Sequence, residues 1–240
     1  MEYNLIDSNT ICINDDLEVE FLTIPETQHQ LIVIDNYLKN PEDLKKLAYS
    51  IPYEETPGNN NGNPGWVAIT NLKFPQISKT AYYLVDNYYV IPHNDKITYQ
   101  FNVFEGGMPC LNTNFYPHVD PALYAIQVYL NDPEDCKGGT RFYKHLPTGL
   151  DINVSYMDPE FKKSQEYAKF TDYYTEVSQN KYNTILDSRQ IDSSIWQNTF
   201  EIEMKYNRFV MYPSYLFHGA YIEKEWFHDK KRIGMAGFIK

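Results

Sequence analysis

Three side chains of this sequence could share one metal ion: His118, Asp120 and His218. Two imidazoles and one carboxylate can take one face of a six-coordinate ion. Up to three positions then remain for small molecules, the arrangement of non-haem Fe(II) sites that handle O2. Arg232 follows His218 by fourteen residues. Its guanidinium offers two parallel charge-assisted hydrogen bonds to a carboxylate, so a small acid is the expected companion of the metal.

These residues need elements that hold them. In an extended segment residues i and i+2 point the same way, so His118 and Asp120 face one interior while Val119 packs outward. Six short runs from residue 97 onward read as strands: Ile97–Phe104, Leu123–Leu130, Thr140–Tyr143, Thr199–Met204, Phe209–Tyr212 and Arg232–Ile239. Turn residues separate them, including Gly106-Gly107, Asn131-Asp132-Pro133 and Gly138-Gly139. Phe209–Tyr212, a turn at Pro213-Ser214 and Leu216–Tyr221 read as a hairpin that aims His218 inward. His228 is the rival third ligand, but it sits in a charged, solvated stretch (Glu223 to Lys231), and His29, His93 and His145 read as surface or loop residues.

Before residue 97 the texture is mostly helical. Leu31-Ile32-Val33-Ile34 reads as one buried strand. Asn40 as N-cap, Pro41 in the first turn and Glu42-Asp43 behind it start a helix whose apolar face is Leu44, Leu47, Ala48 and Ile51. Residues 56–65 are a Gly/Asn/Pro loop, and a second helix runs from about Gln76 to Tyr89. Asp158-Pro159-Glu160 starts a further helix carrying Phe161, Tyr167, Phe170, Tyr174 and Val177. The expected fold is mainly β with flanking α: a jelly roll, that is, a cupin-like double-stranded β-helix. One domain spans 1–240, with N-terminal helical support over 1–96 and a jelly-roll core over 97–240 that carries a helical insertion at about 150–198.

Bulk properties exclude some classes. The net charge of −11 over 240 residues argues against non-specific binding to nucleic acid or anionic lipid. No apolar run approaches a membrane span, and Met1-Glu2-Tyr3-Asn4 lacks the basic and apolar parts of a signal peptide. Three cysteines at irregular spacing (Cys12, Cys110, Cys136) fit a reducing, cytoplasmic compartment and make no Cys-based metal site. The 22 tyrosines and 13 phenylalanines require aromatic rings in the core.

Read in order, five stretches resemble the Fe(II)/2-oxoglutarate-dependent dioxygenases, prolyl-hydroxylase-like branch. They are Tyr116-Pro117-His118-Val119-Asp120, Gln127-Val128-Tyr129-Leu130-Asn131, Gly138-Gly139-Thr140-Arg141-Phe142, Phe209–Phe217 leading to His218, and Lys231-Arg232-Ile233-Gly234. The resemblance covers about residues 97–240. It implies Fe(II) on His118, Asp120 and His218, with 2-oxoglutarate and O2 as co-substrates and succinate and CO2 as products. Arg232, with Tyr129, then holds the distal carboxylate of 2-oxoglutarate, and Tyr116 is a further candidate beside the first ligand. Asp120 favours hydroxylation or desaturation, since related halogenases lack this carboxylate to admit a halide.

The sequence departs from the family in three places. Gly234 stands where a Ser or Thr is common, Thr140 comes one place early after the glycine pair, and the span from Asp120 to His218 is long. Two residues carry open alternatives. Arg141 either binds an acidic substrate or pairs with a surface acid; Trp66 either closes over a substrate or anchors the core. The partner is a small molecule or a peptide. Two rival functions fit the triad: a cupin-like isomerase or hydrolase using Zn(II) or Mn(II), and a binding module without catalysis. The first does not account for Arg232 and Tyr129, and the intact ligands and arginine argue against the second.

Overall fold

The computed structural model describes residues 7–53, 65–91, 93–106, 116–155, 158, 160–165, 167–168, 191–223 and 225–240. The described chain is mainly β, with two α-helices and two antiparallel sheets arranged as in a jelly roll. Its elements are β1 (Val19–Thr23), β2 (Gln30–Ile34), α1 (Pro41–Ser50), β3 (Trp66–Thr70), α2 (Pro75–Tyr88), β4 (Ile97–Phe104), β5 (Tyr124–Tyr129), β6 (Gly139–His145), β7 (Trp196–Glu203), β8 (Phe209–Pro213), β9 (His218–Tyr221) and β10 (Arg232–Ile239). The larger sheet runs β1-β2-β8-β5-β10-β4-β3 and the smaller β7-β6-β9. Among the described helices none is long and apolar enough to cross a membrane.

The pleat of the larger sheet divides its residues into two sets, because successive side chains point to opposite faces. Tyr99, Phe101 and Val103 of β4, Ile126 and Val128 of β5, and Ile233 and Met235 of β10 face the helices. There they pack against Leu44, Leu47 and Ala48 of α1 and Ile77, Ala81, Leu84 and Val85 of α2. The residues one step along face the smaller sheet: Val33, Tyr129, Val210 and Tyr212 meet Phe142 of β6 and Ile202 of β7. β2 is apolar at four consecutive positions because both its faces are covered.

The helices begin and end close to where composition places them. Pro sits in the first turn of both, where its missing N–H removes no helical bond. Asn40 occupies the N-cap of α1, but its side chain makes no capping bond, so Pro41 and the acids Glu42 and Asp43 carry the start.

Several expectations are corrected. Region 1–96 holds two helices and also supplies β1, β2 and β3, which join the same sheet as β4 and β10. β1 and β3 escaped notice because edge strands need only one apolar face. The expected hairpin around Pro213-Ser214 does not form. β8 belongs to the larger sheet and β9 to the smaller, and the chain between them crosses over, with Ser214 N–H on Leu123 O at 3.0 Å and Leu216 bridged to Ile152. His145 is fully buried against Trp196, not a surface residue. Of the expected helix after Asp158, a 3-10 turn over Phe161–Lys163 and helical residues Gln165, Tyr167 and Ala168 are described; Phe170, Tyr174 and Val177 lie outside the described residues, as do 56–64 and Cys110.

Candidate metal centre and acid pocket

β9 opens with His218, and the extended segment before β5 carries His118. The two residues face each other across an antiparallel bridge, each donating its N–H to the other's carbonyl at 2.9 Å. Directly opposed residues put their side chains on one face, and the two rings stand 4.7 Å apart between centroids. Asp120, two residues on, turns to the same side. Its N–H is held by Ser214 O at 3.0 Å.

Each imidazole is oriented by its own chain. Nδ1 of His118 meets Tyr116 O at 3.0 Å, and Nδ1 of His218 meets Leu216 O at 2.8 Å. A carbonyl only accepts, so both Nδ1 atoms carry the proton and both Nε2 lone pairs face the centre. Nε2 of His218 lies 3.1 Å from Asp120 Oδ2. Two ligands roughly 2.1 Å from one ion at a right angle are about 3 Å apart. One donor atom from each of the three residues falls within 4.8 Å of the others, so the group could hold a metal ion.

The local electrostatics suit that role. Burial, with the neighbouring His218, pushes the His118 pKa down and keeps its imidazole neutral. Burial pulls the Asp120 carboxyl up, but the neighbouring His218 and His118 outweigh it, and the carboxyl ends below its usual range. A neutral His118 imidazole and an ionised Asp120 carboxylate are forms in which these groups can bind a divalent cation.

Arg232 opens into the same cavity as the three ligands. Its side chain is buried, with a single long bond from Nη2 to Gly139 O at 3.4 Å, and its Nε has no partner. Among the described residues no carboxylate pairs with it. Burial lowers its pKa, yet a guanidinium stays charged. The Tyr129 ring lies 5.8 Å from the guanidinium carbon, and the Tyr129 hydroxyl shares a 2.7 Å hydrogen bond with Thr140.

The remaining site expectations divide. Tyr116 contributes through its carbonyl on His118, while its ring packs with Phe104, Tyr143 and Phe217. Arg141 takes the acid-pairing alternative: its Nε–H donates to Glu201 at 2.7 Å and its guanidinium lies 3.3 Å over the Tyr221 ring, and it does not line the cavity that its neighbour Thr140 lines. Trp66 likewise takes its packing alternative. It starts β3 opposite Val103, sits under Lys231 at 5.0 Å, and does not line the cavity. Its place at the sheet edge makes it a packing residue.

The chain belongs to a family of unknown function (DUF6445). That family model matches residues 15–234. No curated protein matches the chain. Among solved structures, a prolyl 4-hydroxylase from Phytophthora capsici is similar at 12% identity and a TM-score of 0.43, over 88% of this chain and 58% of its own. The Fe(II)/α-ketoglutarate-dependent dioxygenase TqaL is similar at 9% identity and a TM-score of 0.32, over 70% of this chain and 52% of its own. The chain thus spans little more than half the length of either.

Among the residues that line the cavity, sequence reasoning missed three with polar side chains. Tyr212 places a buried phenol between the metal ligands and Arg232, with its ring edge-on to His218 at 4.9 Å. Burial and Asp120 hold this phenol far above its ordinary pKa, so it is a neutral donor. Gln127 and Asn102 are the others. For Gln127 and Asn102 the signal was present: each stands between apolar residues on its strand, and a polar residue opposite an apolar stripe under helices faces something other than that core.

Proposed function

We propose that this protein is an Fe(II)- and 2-oxoglutarate-dependent oxygenase that hydroxylates an unactivated C–H bond of an amino acid, peptide or small metabolite. The larger sheet, helical support and smaller sheet then form a cupin-like double-stranded β-helix around the site. The observation that carries the proposal is Arg232. A buried cation without a partner is disfavoured by several kcal/mol, so the position calls for an anion to arrive. Its cavity is shared with a facial set of two imidazoles and a carboxylate. A 2-oxo acid with a second, distal carboxylate serves both, chelating the metal at one end and meeting the guanidinium at the other.

Bound Fe(II) and 2-oxoglutarate supply the oxidising chemistry, in which O2 is consumed, 2-oxoglutarate becomes succinate and CO2, and substrate C–H becomes C–OH. The protein does the rest. His118 and His218, each locked by a backbone carbonyl, present nitrogen, and Asp120 supplies the negative charge. Arg232 fixes the distal carboxylate in two parallel hydrogen bonds. Tyr212, neutral throughout the working pH range, can donate to an oxygen of the acid or the substrate without taking up charge. The two sheets shield the site from bulk water, which strengthens each of these interactions. A Zn(II) or Mn(II) isomerase or hydrolase on the same ligands would leave the Arg232 charge unexplained.

The test is anaerobic titration of Fe(II) and 2-oxoglutarate into apoprotein, following the visible metal-to-ligand charge-transfer band. The wild type is expected to develop the band and Arg232→Ala to need far more 2-oxoglutarate. A protein that binds Zn(II) or Mn(II) tightly and never develops the band with Fe(II) and 2-oxoglutarate is not this oxygenase.

A further inference from the structure

β10 runs through the middle of the larger sheet, between β5 and β4, and Arg232, Gly234, Ala236 and Phe238 alternate onto its site-facing side. Gly234 stands opposite Tyr129 on one flank and Asn102 on the other, and Ala236 stands opposite Gln127 and Gln100. In this register Gln127 belongs to the Ala236 row. Its side chain nevertheless leaves that row. A Cβ built on Gly234 would lie 2.3 Å from Gln127 Nε2, so the amide rests over Gly234, one diagonal step nearer to Arg232. Diagonal neighbours in a sheet are within reach of long side chains.

Gly234 has no conformational reason to be glycine, since its φ lies outside the left-handed region. What the glycine leaves is space: a side chain there would have to displace the Gln127 amide. The amide is also under-used. Its Nε2 donates to Val128 O at 3.2 Å, and its second N–H and its oxygen make no hydrogen bond to any described residue. Yet it lines the cavity shared by Arg232 and the metal ligands. A carboxylate accepts at about four lone-pair sites, and one guanidinium fork fills two. The Tyr129 and Thr140 hydroxyls share one hydrogen bond, which uses one of their two protons, so lone pairs of the carboxylate remain for a further donor.

We infer that the Gln127 amide is the second recognition group for the acid held by Arg232, donating its free N–H to the distal carboxylate from above Gly234. This rests on the 2-oxo acid reading given above. Gly234 and Gln127 then act as one unit: the glycine vacates the place beside the arginine, and the amide fills it from the neighbouring strand.

The experiment is the same anaerobic charge-transfer titration on the full chain, comparing wild type, Gln127→Ala, Gln127→Leu, Gly234→Ser and Gln127→Ala/Gly234→Ser. Fe(II) binding alone and the thermal midpoint are measured beside it. Both single Gln127 variants should weaken 2-oxoglutarate binding about tenfold, with Fe(II) affinity unchanged. Gly234→Ser alone should also weaken it, because the serine displaces the amide. The double variant should recover most of the loss, since its hydroxyl occupies the vacated space beside Arg232. If Gln127→Leu binds 2-oxoglutarate like wild type, the amide only fills space and the inference is wrong, while the oxygenase reading stands. If the wild type itself gives no band, the oxygenase reading falls and takes this inference with it.

Discussion

The two faces of the larger sheet are built from the same strands and obey opposite rules. Toward the helices, β4, β5 and β10 present Tyr99, Phe101, Val103, Ile126, Val128, Ile233 and Met235, all buried in one apolar cluster. Toward the smaller sheet the same strands present Gln100, Asn102, Gln127, Arg232, Gly234 and Ala236. A single step along the chain separates a residue that stabilises the fold from one that lines a site. One face is packed to the density of a protein interior. The other keeps room and an uncompensated charge, which a folded protein tolerates only where the first face supplies the stability.

Variants on the two faces should therefore behave in opposite ways. The largest effect is expected at the site. Asp120→Ala should abolish 2-oxoglutarate turnover and lower metal affinity by on the order of 100-fold or more, since a ligand matters at least as much as the groups that orient it. Succinate formation and metal titration check this, and circular dichroism should show an unchanged fold. On the helix face, Phe101→Ala should destabilise by about 3–5 kcal/mol, as expected for a fully buried phenylalanine, without altering metal affinity in the protein that remains folded. Denaturant unfolding reads that loss.

Arg232→Met sharpens the contrast most. It removes a buried, unpartnered charge and keeps much of the volume, so the apoprotein should gain roughly 1–4 kcal/mol while losing its affinity for 2-oxoglutarate. A destabilised Arg232→Met protein would mean that the guanidinium is compensated by the fold. Arg141→Gln should change stability by at most about 1 kcal/mol and leave 2-oxoglutarate binding intact, because its partner is Glu201 at a partly exposed pair.

The smallest effect lies at Asp35, whose carboxyl is held below its ordinary value of 3.8, mainly by the hydrogen bond from Arg208. Arg208 itself is buried and grips Asp35 with Nη2 at 2.8 Å. The folded-state pKa is depressed, so this pair stabilises the protein above pH about 4 and loses its contribution as pH falls through the lower, folded-state value. Asp35→Asn should flatten that part of the stability profile slightly in acid unfolding experiments.

Much of this was legible in the chain. The strands Ile97–Phe104 and Arg232–Ile239 coincide with β4 and β10, because period-two alternation marks a strand covered on one side by an apolar core. The His118 and Asp120 pair was legible because i and i+2 share a face, whereas His218 was reached through an expected hairpin that does not form. Arg141 and Trp66 were not, since a guanidinium or an indole beside a glycine-rich corner reads the same whether it meets a ligand or a neighbour. Glu201, which claims Arg141, lies on another strand, and no local pattern shows that β6 and β7 pair. His145 looked like a loop residue until Trp196 covered it.

By itself the sequence determined which residues share a face, where helices start, and which side chains are able to bind a metal or an acid. Those are local properties, set by backbone geometry and by the chemistry of single residues. The tertiary structure alone decided that His118 sits across from His218, that β1 to β3 join the sheet of β4 and β10, that β8 and β9 part into different sheets, and that Gln127 leans over Gly234. Each depends on the register between strands distant in the chain. A period of two specifies the face but not the neighbour, and the neighbour is chosen only when every strand has found its place around one core.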